Sequence, residues 1–477
     1  LKNTNTPVVV FGLDAGVPEL LQLWSEEGHL PTLRSIIDRG SSGKISGDES
    51  ISPHGLWLSL FSGISRSKHG YYYFRQLEPG SYNVKPYVNL NALPFWYSLK
   101  DKKLLIVDAP EVLAIRGLNG YQIANWSVHN APESATSEPA DFLQMFGPQM
   151  RIPEKFNCSD RENHRIYNRL VERIQKKGAI LCNVLKQNQF DFIVIVFSES
   201  HIAGHQFWKD QASLLKIYQE IDHQIGKMLS CIPQDSNAFI VSPMGIMDQN
   251  PTRGLTQAFC FELGYQHRQK NPRGSLKPIS IARKIVPESL RSVISNSLPQ
   301  NLRQRLLGNI FGNNIIWDKT TAFALPSNYT GLIRVNLEER EPNGIVKPGN
   351  EYTQLLDQIE NDLKQLVDPI TGQPAVERTI RTIDIYQTDP PEVLPDLFIK
   401  WRPTSYFVDR VVHPKTELKQ RRPKFYRSNN HSEVGFFACA GPTITENFRR
   451  QEISVLDIAP ALQSAVQNIE LVRTKIS

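Results

Sequence analysis

The run Phe192-Ile-Val-Ile-Val196 is apolar throughout and rich in β-branched residues, and a strand is expected over Asp191 to Phe197. Such a run reads as a strand buried on both faces, the interior strand of a parallel sheet with helices above and below. It gives way to Ser198-Glu-Ser-His201-Ile-Ala-Gly-His205-Gln-Phe-Trp208. Two imidazoles and a carboxylate thus arrive at the strand's C-terminal end, the edge where open α/β sheets bind ligands. If the following segment is helical, His201 and His205 lie one turn apart on one face and can grip one metal ion. A polar loop carrying two surface histidines is the plainer alternative.

Further runs of the same kind fix the fold class. Thr6-Pro-Val-Val-Val-Phe-Gly-Leu-Asp14, Leu104-Leu-Ile-Val-Asp108 and Ala238-Phe-Ile-Val-Ser242 read as strands. Helical patterns over 17–27, 30–39 and 162–186 alternate with them, the second carrying Pro31 in its first turn and Gly40 after its end. The expectation is an α/β fold, a mostly parallel central sheet sandwiched by helices. Residues 266–310 break this pattern with nine Lys or Arg and the single acid Glu288. They read as a basic, mostly helical insertion: a solvated cap, or a lid that attracts an anion. The α/β signal returns at Ala322 to Pro326, Gly331 to Asn336, a helix over 351–366, and Asp396 to Trp401. The expected organisation is a core of 1–265 and 313–477, with 266–312 as the insertion.

Composition narrows the class. The five cysteines (Cys158, Cys182, Cys231, Cys260, Cys439) are odd in number and scattered, which argues against a disulfide framework and a cysteine zinc site. A net charge of +6 permits anionic substrates without requiring them, and nothing suggests sequence-specific nucleic-acid binding. No apolar run reaches the roughly 18 to 20 residues that span a bilayer. No signal-peptide pattern is visible, so a cytoplasmic protein is the expectation.

Four places offer chemistry. Asp14 ends a buried strand, which is costly unless the carboxylate is paired or holds a cation; capping the next helix is its other reading. In Ser50-Ile-Ser52-Pro-His54-Gly-Leu-Trp57, small hydroxyls stand just before a helix. One of them can be a nucleophile beside the helix's free N–H groups, or Ser52 can simply cap a helix with Pro53 at its first position. The third place is the His201/His205 pair. The fourth is His431, directly before the apolar run Phe436 to Ala440. Arg75, within Tyr71-Tyr-Tyr-Phe-Arg-Gln76, can pair a phosphate while the aromatics line a pocket or fill the core.

The order of these motifs resembles the alkaline phosphatase superfamily, in its type I phosphodiesterase/nucleotide pyrophosphatase branch. Phe11-Gly-Leu-Asp14 with Glu27-Gly-His-Leu-Pro-Thr-Leu33 is similar to the family's first metal aspartate and following helix. Trp57 to Gly63 with His69-Gly70 resembles the nucleophile loop, and His201 to Trp208 the central metal segment. His431 with Gly435 resembles the last metal histidine. Asn336-Leu-Glu-Glu-Arg340-Glu-Pro-Asn-Gly344 and Pro395-Asp396-Leu are also similar to this branch. The resemblance implies a metal-dependent hydrolase or transferase of phosphate esters or diesters. It implies two metal ions, usually zinc, and a covalent phospho-Ser or phospho-Thr intermediate.

Three departures bear on the site. The family's acid at the start of the metal segment falls on His201, with Glu199 out of register. The Asp-His-Gly expected after 238–242 is replaced by Ser242-Pro-Met-Gly245. Strict register from Gly63 puts the nucleophile on Pro53, and Ser52 fits with a one-residue shift. The expected set is therefore Asp14, His201, His205 and His431 for metal, Ser52 as nucleophile, and Arg75 and His54 for substrate. One zinc is implied by the three histidines; a second is left open, with Asp248 or Asn250 as substitute ligands. A small-molecule phosphate or sulfate ester is the expected substrate. The alternatives are a non-catalytic binding or scaffold descendant, and altered chemistry such as group transfer or sulfate-ester cleavage.

Overall fold

The computed structural model describes residues 6–47, 51–87, 92–112, 114–128, 134–152, 158–269, 314–387, 389–423, 426–442, 444 and 451–467. The chain forms two compact units: Leu1–His69 with Asn89–Asp248 and Phe425–Ser477, and Gly70–Val88 with Gln249–Lys424. Apart from its first four residues, the basic insertion expected over 266–312 lies outside the described residues.

The first unit holds the large sheet. Its strands are β1 (Val8–Leu13), β2 (Ser41–Ser46), β3 (Leu104–Val107), β4 (Gly120–Ala124), β5 (Thr136–Glu138), β6 (Phe192–Phe197) and β7 (Asn237–Ser242). A short pair, β8 (Gly245–Asp248) and β9 (Asn429–Ser432), stands beside it, and β10 (Val434–Ala440) and β11 (Glu452–Ser454) complete it. The order is β11-β2-β10-β7-β1-β6-β3-β4-β5. The central strands β7, β1, β6, β3 and β4 run parallel, whereas β10 is antiparallel to both its neighbours.

Period-2 alternation explains why this sheet is covered twice. Val9, Phe11 and Leu13 of β1 and Ile193, Ile195 and Phe197 of β6 point into one apolar cluster. Val8 and Val10, with Phe192, Val194 and Val196, point into another. The helices that cover the first face are α1 (Pro18–Glu26), α2 (Pro31–Arg39), α4 (Asp160–Gln187) and α6 (Gln211–Leu229). On the second face lie α3 (Leu56–Ser62) and α7 (Val455–Gln467), through Trp57, Leu60, Phe61, Ile458 and Leu462. Helix α4 starts on a capping box in which Ser159 and Glu162 satisfy each other's backbone N–H groups. At Gly12 a Cβ would stand 2.8 Å from the Trp57 ring, so only glycine lets that indole lie against β1.

The second unit is built on an antiparallel four-stranded sheet. Its order is Ala322–Ala324, Gly331–Val335, Leu397–Trp401, Val376–Arg381. The helices Arg253–Glu262 and Asn350–Lys364 pack on it through Leu255, Phe259, Tyr352, Leu356 and Ile359. Among the described residues, no helix is long and apolar enough to cross a membrane.

Candidate functional site

The site gathers at the C-terminal ends of β1 and β6 in the first unit. Directly after β6, helix α5 (Glu199–Phe207) begins, so His201 and His205 do fall one turn apart. His431 enters from β9, whose antiparallel register pairs it with Ile246 of β8. The three rings face one another, with centroids 4.6 Å apart for His201/His431 and 4.8 Å for the other two pairs. One nitrogen from each lies within 4.8 Å of the others, and no second such group of His, Cys, Asp or Glu occurs among the described residues.

The surroundings of the three rings differ. His205 Nδ1 donates to Asn429 Oδ1 at 2.8 Å, because an amide oxygen can only accept. That leaves the His205 Nε2 lone pair directed inward, 3.3 Å from His431 Nε2. His201 Nδ1 stands 3.0 Å from Asp14 Oδ2. The second oxygen of Asp14 accepts from Trp57 Nε1 at 2.9 Å. His201 and His431 are each only 9% exposed. Burial, with the neighbouring rings of His201 and His205, holds the His431 imidazole well below its usual pKa. Its Nδ1 is buried without a hydrogen-bond partner among the described residues. Three imidazoles brought this close are a donor set that suits zinc.

Beside this cluster runs the loop that carries Ser52. The helix begins later than a Ser52 cap would require: α3 starts at Leu56, with Gly55 at its N-cap in the left-handed region (φ 84°). Ser52 Oγ lies 3.3 Å from His54 Nδ1 and also accepts the His54 backbone N–H at 3.3 Å. Fully buried Arg66 donates to the carbonyl oxygens of Ser52 and His54, fixing this turn. Burial, with Arg66, Arg427 and the His201 ring nearby, presses the His54 pKa down to about 3. The Glu111 carboxylate accepts the N–H groups of Gly55 (3.1 Å) and Leu58 (3.2 Å). Burial pushes its pKa up to about 7, and the Asp14 charge adds to the rise. Glu111 itself is a non-glycine residue at φ 61°, a strained geometry of the kind that clusters at functional sites.

Other expected positions go elsewhere. Asp14 does not cap α1, whose N-cap is Val17. Glu199 points away from the histidines, with Oε1 2.6 Å from Arg173 Nε and Oε2 3.5 Å from Lys177 Nζ. Burial opposes its charge, but those two cations hold its pKa low. Ser242 Oγ accepts from Gly16 N and donates to the Met244 carbonyl. Asp248 accepts from Trp208, and Asn250, in the second unit, donates to the Thr404 carbonyl. Neither belongs to the three-histidine cluster. Arg75 lies on the short strand Arg75–Leu77 of the second unit, paired with Val84–Pro86. The aromatics before it divide between core and surface: Tyr72 is buried and Tyr71 stacks on Tyr87, while Phe74 is exposed.

Asn429, Arg66 and Glu111 were not singled out from the sequence. A signal existed for Arg173 and Lys177, two cations on the apolar face of α4 among Leu170, Ile174 and Leu181.

A family model for type I phosphodiesterase / nucleotide pyrophosphatase matches residues 8–374. The chain belongs to this family. It is thereby a member of the alkaline phosphatase superfamily and a phosphoryl-transfer hydrolase. Members of the family depend on metal ions, typically zinc. Among solved structures, phosphonoacetate hydrolase from Sinorhizobium meliloti 1021 in complex with phosphonoformate is similar in fold. It has a TM-score of 0.55 at 12% identity, over 97% of this chain and 96% of that one. Its complex with phosphonoacetate gives 0.53 at 12% identity over the same shares. Human ectonucleotide pyrophosphatase / phosphodiesterase 5 gives 0.48 at 10% identity, over 99% of this chain and 97% of that one. No curated protein matches the sequence.

Proposed function

We propose that this chain hydrolyses phosphate diesters with a single zinc ion held by His201, His205 and His431. The observation that carries the reading is the convergence of three imidazoles, of which His205 is hydrogen-bonded through Nδ1 to Asn429 and His201 has Nδ1 beside the Asp14 carboxylate. The Asn429 bond fixes the His205 tautomer whose Nε2 lone pair can bind a metal. A zinc ion held by these three histidines would supply Lewis-acid polarisation of a phosphoryl oxygen. Ser52 Oγ is the attacking hydroxyl, and Arg66 holds its loop in place through the Ser52 and His54 carbonyls. Asp14 is a positioning residue in this reading, with one oxygen on Trp57 and the other on His201. Pro243 offers no side-chain donor and Met244 a thioether that favours softer ions, so two ligands expected for the family's second site are replaced here.

The reading is tested with bis-p-nitrophenyl phosphate and protein reconstituted with one equivalent of zinc. Turnover that disappears in Ser52→Ala and in His205→Ala is the expected result. A folded, zinc-loaded wild type that turns over no phosphate ester would leave a binding protein as the better account.

A further inference from the structure

The cysteines lie far apart in the sequence, but packing brings two of them together. Helices α4 and α6 run side by side over one face of the large sheet. Their approach is close: at Gly178 a Cβ would stand 2.8 Å from Cδ of Gln224, so only glycine lets α6 come so near. One helical turn beyond Gly178, on the same side of α4, stands Cys182. Cys231 follows the end of α6, just after fully buried Met228. Both cysteines are half-buried against the same apolar cluster. The Cys231 thiol donates to the Lys227 carbonyl at 3.2 Å. A thiol has one hydrogen, so the hydrogen bond between the two cysteines runs from Cys182 to the Cys231 sulfur. Burial, and then the Cys231 thiol, push the Cys182 pKa up to about 11.

We propose that Cys182 and Cys231 are a modification site: with a small-molecule disulfide as oxidant they close a disulfide that staples α4 to the end of α6. One thiol loses its proton to water and its sulfur attacks the oxidant, releasing one small thiolate. The second thiol loses its proton likewise and attacks the mixed disulfide, forming the S–S bond and releasing the other thiolate. The protein is oxidised by two electrons and the small disulfide is reduced to two thiols. The bond needs the sulfurs about 2 Å apart with a dihedral near 90°. Cys231 lies beyond the last residue of α6, so it can turn toward Cys182 without unwinding that helix. The link closes a loop of about 50 residues, which restricts the unfolded chain. A thiol of high pKa leaves slowly, so the closed bond resists exchange and acts as a lasting staple rather than a fast switch. It secures α4, the helix whose Arg173 and Lys177 hold Glu199.

The test uses the reduced full chain, incubated folded with oxidised glutathione, then denatured and alkylated. Mass spectrometry counts the alkylated thiols and maps linked peptides. The expected result is a fall from five alkylated thiols to three, a loss of two hydrogens, and one link joining Cys182 to Cys231. The linked protein should melt at a higher temperature than the reduced one, and dithiothreitol should reverse the shift. Cys182→Ser and Cys231→Ser should show neither link nor shift, and either serves if the other folds poorly. Five thiols still alkylated, a glutathione adduct that never resolves into the link, or a link between other cysteines would overturn the proposal. So would a linked protein that melts no higher than the reduced one.

Discussion

Each imidazole of the cluster has two nitrogens, and what its outer nitrogen touches decides which way the inner one can act. Asn429→Ala removes the acceptor of His205 Nδ1 and should weaken zinc binding about 10–100-fold, read by chelator competition. His205→Ala should abolish it. Glu111 gives a pH signature. Its folded pKa lies near 7, above the ordinary 4.5, so folding favours its neutral form. The stability it contributes is complete below pH 4.5 and is lost as the pH rises through 7. The loss is on the order of 2–3 kcal/mol. Urea unfolding at pH 5 and 8 should show that decline in wild type and a flatter profile in Glu111→Gln. An identical slope in both proteins would remove Glu111 as its source. None of this was legible in Glu111, which stands alone in the sequence; its role comes from β3 delivering the following loop to the first turn of α3.

Between elements, the decisive contact is a buried charge cluster joining α4 to the start of α5. Lys177 Nζ reaches Ser127 Oγ at 2.7 Å, the Val196 carbonyl at 2.8 Å and Asp108 Oδ2 at 3.4 Å, while Arg173 pairs with Glu199. All four charged groups are essentially inaccessible. Lys177→Met leaves the buried Asp108 carboxylate without its cation and should cost about 3–5 kcal/mol in chemical denaturation. Because Glu199 anchors the first turn of the helix bearing His201 and His205, zinc affinity should fall with stability. The sequence made the sheet's interior readable: β1, β6 and β7 are apolar on both faces, and each lies within about two residues of its expected bounds. Strand β2 was not readable, because Ser-Ser-Gly-Lys-Ile-Ser has one buried apolar residue and becomes a strand by pairing with β10 and β11. The His201/His205 spacing was legible because it repeats one helical turn. The tether from Asn429, 224 positions away, depends on tertiary contact alone.

At the level of the whole chain, two units carry separate signatures of the family. In the second, the Asn336 to Gly344 segment and Asp396 meet as a polar lock: Arg340 binds both Asp396 oxygens at 2.8 Å, and Tyr352 donates to the same carboxylate. Arg340→Lys keeps the charge but loses the fork, so that unit should be destabilised by about 1–3 kcal/mol with zinc content unchanged. Proteolysis compared with metal analysis would register this separation. In the first unit, the proposed machinery is three histidines, Ser52 and the groups that hold them. The number of metal ions per chain tests that account most directly. Elemental mass spectrometry on untagged protein, loaded with zinc and then desalted, should find one zinc per chain, falling to none in His205→Ala. Two zinc ions per chain, or none after loading, would contradict it.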